Sequence, residues 1–163
     1  MLVCAFACGL LLAQEMNIRP YEPADWDAVR DIWNRGKPDE FRGTCDLRAI
    51  IPLERDERMQ QLFRDSTIFV GETDGRIIGF AGFKGEVVTW LFVDPDCYRK
   101  GYGCALLSFI LSRMGSTARL NVGAGNAAAI KLYEKHGFRI TNRFNGKYNG
   151  YPTKAIGMER TSH

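Results

Sequence analysis

The chain has no apolar run long enough to cross a bilayer, no basic run longer than two residues and only two histidines. Each shortage closes a class of function. The most apolar stretch, Met1 to Ala13, falls short of the roughly 20 residues a spanning helix needs. It also lacks the basic n-region of a secretory signal. Met16 is therefore expected as the natural start, with residues 1–15 an extension outside the domain and residues 16–163 the domain itself. Without basic runs, a net charge of +3 suits attraction of an anionic small molecule, not nucleic acid. Cys4, Cys8, Cys45, Cys97 and Cys104 are odd in number and irregular in spacing. With His136 and His163 far from any cysteine pair, no zinc set forms and no metal is expected. Reduced thiols in a cytoplasmic compartment fit this pattern best. No repeat, low-complexity segment or linker interrupts the chain, and no acidic cluster suggests a polyamine or aminoglycoside partner.

What is present is ordinary globular usage, 45% hydrophobic and 25% charged, in strands alternating with helices. Ile18 to Tyr21 reads as a short strand. Asp25 is placed to cap a helix carrying Trp26, Val29, Ile32 and Trp33 on one side. Gly36 to Thr44 reads as a polar loop, and Asp46 to Asp65 as a helix with a solvated charged face. Thr67–Glu72 and Arg76–Phe83 flank Thr73-Asp74-Gly75, a hairpin signal, and a further strand follows from Glu86. Gly103 to Met114 and Asn126 to His136 read as helices, the second ended by Gly137 as a left-handed cap. Arg119–Val122, Phe138–Phe144 and Ala155–Glu159 supply the remaining strands, with Asn145 to Pro152 joining the last two.

The densest signal is Val93-Asp94-Pro95-Asp96-Cys97-Tyr98-Arg99-Lys100-Gly101-Tyr102-Gly103-Cys104. An apolar strand runs through a proline turn into a basic, glycine-spaced loop that opens a helix. Amide groups at such a helix start have no intrahelical partner, and the helix dipole favours an anion there. Gly101 and Gly103 allow close main-chain approach, and Arg99 and Lys100 suit phosphate oxygens. No Gly-Lys-Ser/Thr follows, and Gly101-Tyr102-Gly103 lacks the third glycine of a dinucleotide fingerprint. The segment reads as a pyrophosphate cradle. Further on, Asn126-Ala127-Ala128-Ala129-Ile130-Lys131-Leu132-Tyr133-Glu134-Lys135-His136-Gly137-Phe138 adds a second pattern.

Together the run Leu91-Phe92-Val93-Asp94-Pro95, the glycine loop and the Asn126…Tyr133…Gly137-Phe138 segment resemble the GCN5-related N-acetyltransferases. The resemblance spans roughly Asn17 to Arg160. One departure is plain: the family's first Arg/Gln of the loop falls on Tyr98, with Arg99 one place later. The resemblance implies an α/β fold of mixed α+β type: one domain, a mostly antiparallel sheet of about six to seven strands, and about four flanking helices. It implies acetyl-CoA as cosubstrate and transfer of acetyl to a primary amine, on a small molecule or a peptide N-terminus. A non-catalytic acyl-CoA-binding module of the same fold is the alternative. The expected partner is that amine acceptor, with neither nucleic acid nor membrane, and a homodimer is compatible with the sequence.

Each chemical need then has candidates. The resemblance implies a bulge in the strand before the cradle, freeing main-chain groups of Leu91 and Val93 for the thioester carbonyl and pantetheine. Phe92, Tyr102 and Cys104 complete the cofactor-binding set. Asn126 and Tyr133, seven residues apart, lie within about 20° on one helix face. Tyr133 is expected to protonate the departing thiolate, and Asn126 to contact the cofactor as well as cap the helix. Many relatives carry a Glu where this chain has Thr89. Glu86 is the nearest carboxylate and the candidate base, beside a water relay through Thr89 or an amine needing no side-chain base. Phe41 and Arg42, and Tyr148 and Tyr151 in the last turn, are candidate acceptor contacts.

Overall fold

Left-handed Asp74 (φ 51°) and Gly75 (φ 72°) close the turn between β2 (Thr67–Thr73) and β3 (Arg76–Lys84). Hairpin turns that match strand twist need positive φ at both central positions. Asn149 (φ 46°) and Gly150 (φ 84°) do the same between β6 (Arg139–Tyr148) and β7 (Tyr151–Thr161). The linker expected over residues 145–152 is thus mostly strand, paired in register from Asn145 with Lys154 to Tyr148 with Tyr151. With β1 (Asn17–Pro20), β4 (Val87–Val93) and β5 (Thr117–Gly123), the strands form one seven-stranded sheet, ordered β1-β2-β3-β4-β5-β7-β6. All neighbours are antiparallel except β4 and β5. The computed structural model describes residues 15–162, and the expectations for the leading apolar segment lie outside the described residues.

Helices cover both faces. On one, α1 (Trp26–Phe41) and α2 (Glu57–Asp65) bury Val29, Ile32, Trp33 and Phe63 against Ile68, Val70, Phe80 and Trp90. On the other, α3 (Tyr102–Leu111) and α4 (Ala127–Lys135) set Leu106, Leu107, Ile110 and Tyr133 against Phe69, Ala81, Leu120 and Met158. Each fully buried side chain of this size contributes roughly 1.5–3 kcal/mol, so the sheet is clamped from both sides. Among the described residues no helix is long and apolar enough to cross a membrane.

Two helices depart from the sequence expectation. α1 does not stop at Gly36 but runs on to Phe41 with Pro38 inside it. An interior proline costs about 3 kcal/mol, and here the added turns extend the buried stripe to Gly36, Lys37 and Phe41. Asp25 does not cap α1 through its side chain. Its carboxylate instead takes two bonds of 2.8 Å from Arg19 and one of 2.8 Å from the Glu22 N–H. The expected helix over residues 46–65 is broken around Pro52 into two single 3-10 turns, Leu47–Ala49 and Leu53–Arg55, before α2. Asp56 caps α2 by accepting from Met59 N–H at 3.1 Å.

Candidate active site

β4 and β5 are joined at one register position, Val87 with Arg119, beside an Arg119 N–H bond to Glu86 O of 2.9 Å. Beyond it they splay apart. On its other edge β4 pairs with β3 along its length, but the register shifts: Gly82 faces Trp90 while Phe83 faces Val88. Thr89 is the extra residue of this bulge. Bulges bend and twist the strand that carries them. As a result Val88 and Leu91 pack on the α3/α4 side despite their odd spacing, and Trp90 and Phe92 pack opposite. The strand edge facing the split has no ladder partner past its first residue, so its main-chain groups are available to whatever enters.

What enters would occupy a cleft of about 480 Å³ lined by Thr89–Val93, Leu120–Val122, the loop from Cys97 to Gly103, and Asn126, Ala129 and Tyr133. Gly36, Asp39 and Glu40 of α1 also line it. The cleft therefore runs from the glycine loop through the split sheet to the far end of α1.

The loop is anchored by Asp94, only 1% exposed. Its N–H bonds Ile78 O at 2.7 Å, and its carboxylate accepts the Asp96 N–H at 2.9 Å. Arg35 of α1 at 2.8 Å and Arg76 of β3 pair with the same carboxylate. Burial alone would push this carboxyl up, but the Asp96 N–H and the Arg35 and Arg76 charges outweigh it and hold the group below its ordinary range. Downstream, Arg99 (φ 62°) and Gly101 (φ 83°) take left-handed conformations that turn the chain into α3. For Arg99 this is strain of order 1 kcal/mol. Gly103 needs no such freedom, and a Cβ built on it would meet only Leu132 at 3.6 Å and Val93 at 3.7 Å. Protein packing would tolerate a Cβ there at ordinary contact distance, and Gly103 lines the cleft. Helix-start amides, flanking cations and a glycine with no packing reason fit a diphosphate group.

At the other end, Tyr133 is buried and packs edge-on to Phe138 with ring centroids 5.7 Å apart. Burial first, and the negative charge of Glu40 second, push its phenol up from the ordinary value. The phenol therefore stays protonated. Asn126 lines the cleft and caps α4, accepting from Ala129 N–H at 3.2 Å.

Most of the expected cofactor residues meet here: Leu91, Phe92, Val93, Arg99, Gly101, Tyr102, Gly103 and Asn126 all line the cleft. Lys100 stands exposed beside it. Cys104 turns its thiol away, to 3.5 Å from His136 Nε2. Glu86 is not brought to the site. It stands at the joined end of β4, its side chain 56% exposed, 3.7 Å from Arg119. Thr89 is committed too: Ser66 Oγ donates to Leu62 O at 2.7 Å, so the Thr89 hydroxyl donates to Ser66 at 2.9 Å.

Phe41 and Tyr148 stack edge-on at 4.7 Å, behind the cleft wall. Tyr151 lies under Arg48 at 5.6 Å, and Arg42 is exposed and paired with Asp39 at 3.2 Å. Tyr98, at the position where the resemblance implied Arg or Gln, lines the cleft with its hydroxyl beside Gly36. Burial and then Asp39 push its phenol up to about 12. Sequence reasoning missed Lys37, Asp39 and Glu40. Their signal was the helical spacing continuing past Pro38.

The sheet is split between its parallel central strands, with the glycine loop and the start of α3 at the mouth of the split and the buried phenol of Tyr133 inside. Residues 64–140 match the acetyltransferase (GNAT) domain. Peptidyl-lysine N-acetyltransferase YjaB of Salmonella typhimurium is 31% identical over 130 residues, 78% of this chain and 86% of that protein. The ribosomal protein bS18-alanine N-acetyltransferase of Escherichia coli is 45% identical over 65 residues, 37% of this chain and 42% of that protein. The structure of yncA from Salmonella typhimurium, solved with its cofactor acetyl-CoA, matches with a TM-score of 0.70 at 22% identity. That match covers 91% of this chain and 94% of the other. The chain belongs to the GNAT acetyltransferase family. It is an N-acetyltransferase, and acetyl-CoA is its acyl donor.

Proposed function

We propose that this enzyme moves the acetyl group of acetyl-CoA directly to a primary amine of a peptide or small molecule, with Tyr133 as the acid. The observation that carries the reading is the cleft, continuous from the glycine loop to Tyr133 along the unpaired edge of β4. Acetyl-CoA supplies a thioester carbon open to nucleophilic attack. The chain's contribution is placement and charge. The loop from Arg99 to Gly103 and the start of α3 hold the diphosphate. Main-chain N–H groups of Leu91 and Val93 meet the carbonyl oxygen as it gains negative charge. Tyr133, kept protonated by burial, gives its proton to the departing sulfur. A peptide acceptor accords with the peptidyl-lysine and ribosomal-protein substrates named for the two relatives. The proposed compartment is cytoplasmic, resting on the odd, irregular cysteine spacing.

The test is CoA release, followed as free thiol. The acceptors are a blocked peptide with one lysine, an unblocked alanyl peptide and propylamine. Acetyl-CoA-dependent release with at least one amine, and a mass gain of one acetyl on it, is the expected result. Tight acetyl-CoA binding with no release from any of the three would leave a binding module instead.

A further inference from the structure

Two carboxylates line the cleft, Asp39 and Glu40, both near the C-terminal end of α1. Asp39 is engaged by Arg42. Lys37 Nζ donates to Glu40 Oε2 at 3.1 Å, and Glu40 lines the cleft. Lys37 is only 6% exposed. Its ammonium lies 4.5 Å from the ring centre of Phe41, 5.1 Å from Tyr148, 5.5 Å from Trp33 and 5.9 Å from Phe92. A buried ammonium needs compensation, and one carboxylate plus four ring faces supply it. This is more apparatus than a surface i,i+3 pair requires, and its product is one carboxylate fixed at the acid end of the cleft.

The charged and titratable groups facing Glu40 come from three elements. Lys37 stands on its own helix, Tyr133 on α4 and Tyr148 on β6, with Asp56 and Arg58 next to Tyr148. Lys37 is the cation paired directly with Glu40, and Arg58 stands over the Tyr148 ring at 4.9 Å.

We propose that Glu40 is the base that deprotonates the acceptor amine, and that Lys37 is the positioning residue that holds it. The proposal rests on the N-acetyltransfer reading above and supplies the group that reading lacks. The acceptor arrives as an ammonium, R–NH3+, and gives one proton to Glu40. The nitrogen lone pair then forms the N–C bond to the acetyl carbon as the C–S bond breaks. The sulfur takes the Tyr133 proton, and the second proton leaving nitrogen restores the phenol. Products are R–NH–acetyl and CoA thiol, and the proton on Glu40 passes to water.

The experiment uses the full chain with whichever of the three amines is acetylated. Glu40→Gln should keep acetyl-CoA affinity within about twofold by calorimetry. Its kcat/KM should fall by roughly 10²-fold or more, and the acidic limb of the pH profile should vanish. Lys37→Met should lower kcat while leaving acetyl-CoA affinity within about twofold, as expected where a base loses the group that positions it, and Lys37→Arg should restore kcat. Wild-type kcat/KM at every pH in Glu40→Gln would overturn the proposal and leave the transferase reading standing. So would a joint loss of acetyl-CoA affinity and activity, which would make Glu40 structural. A wild-type protein that binds acetyl-CoA but acetylates none of the three amines would bring down both readings.

Discussion

The two ends of the cleft are built by different means. The donor end is local: residues 93–104 form a continuous strand end, 3-10 turn, left-handed step and helix start. Its binding groups are mainly main-chain amides. The acceptor end is assembled from far apart in the chain, with Glu40 and Lys37 on α1 and Tyr133 on α4. Its working groups are side chains. A ligand common to a whole family can be held by backbone, which depends little on side-chain identity. The acceptor end has to be specified residue by residue through tertiary contact.

The donor end should break most completely. Gly103→Glu places a carboxylate at the helix start where the diphosphate belongs, and should lower acetyl-CoA affinity by more than about 100-fold in calorimetry, equivalent to about 2.7 kcal/mol. Gly103→Ala separates the ligand's need from the protein's. A Cβ there meets nothing closer than 3.6 Å, so the fold should gain up to about 1 kcal/mol from helix propensity while acetyl-CoA binding weakens. Gains in both would mean that the glycine serves no ligand.

This contrast also decides what could be read in the sequence. Asp74-Gly75, the glycine loop, the Asn126 cap and the Gly137 cap (φ 86°) are short-range devices, and each is legible in its own residues. The bulge at Thr89 exists only as a register against β3, so no pattern within β4 announces it. Pro38 argues locally for a helix end. Burial of Lys37 and Phe41 among rings from β4 and β6 overrides that argument, and Glu40 was lost with the helix turn that carries it. Tyr98 reads only as a departure from the family's Arg or Gln until its hydroxyl is seen beside Gly36 of α1.

The acid sharpens the comparison from the other end. Tyr133→Phe removes one hydroxyl and keeps the ring on Phe138. It should lower kcat by roughly 10- to 10⁴-fold and change acetyl-CoA affinity by less than about twofold. Rapid-quench kinetics with the best amine would check that the loss lies in chemistry. An unchanged kcat would remove Tyr133 from any rate-limiting proton transfer.

Asp94 joins the two ends, since it anchors the donor loop through Arg35 of α1 and Arg76 of β3. Its carboxyl is held low in the folded state, so the stability it contributes is present above the unfolded value near pH 4. That contribution is lost as pH falls through the folded value. Urea unfolding followed from pH 6 downward should show a loss beginning near pH 4 that is smaller in Asp94→Asn. Arg35 and Arg76 are 36% and 60% exposed and can hydrate when the carboxylate is removed, so the variant should lose about 1.5–3 kcal/mol at neutral pH, as for hydrogen bonds to a charged group. Equal pH dependence in both proteins would mean that Asp94 is not the carboxylate responsible.

The smallest effect is expected where the sequence pointed to the base. Glu86 lies on the strand that forms the cleft, yet at its joined end, exposed and beside Arg119. Proton transfer needs hydrogen-bond reach or one intervening water, and the split opens only beyond this residue. Glu86→Gln should therefore change kcat/KM by less than about twofold at any pH, against roughly 10²-fold for Glu40→Gln. A tenfold or larger loss in Glu86→Gln, with its acidic limb removed, would move the proton acceptor back to β4. The aromatic box around Lys37 would then be a lock between α1 and the β6–β7 hairpin and nothing more.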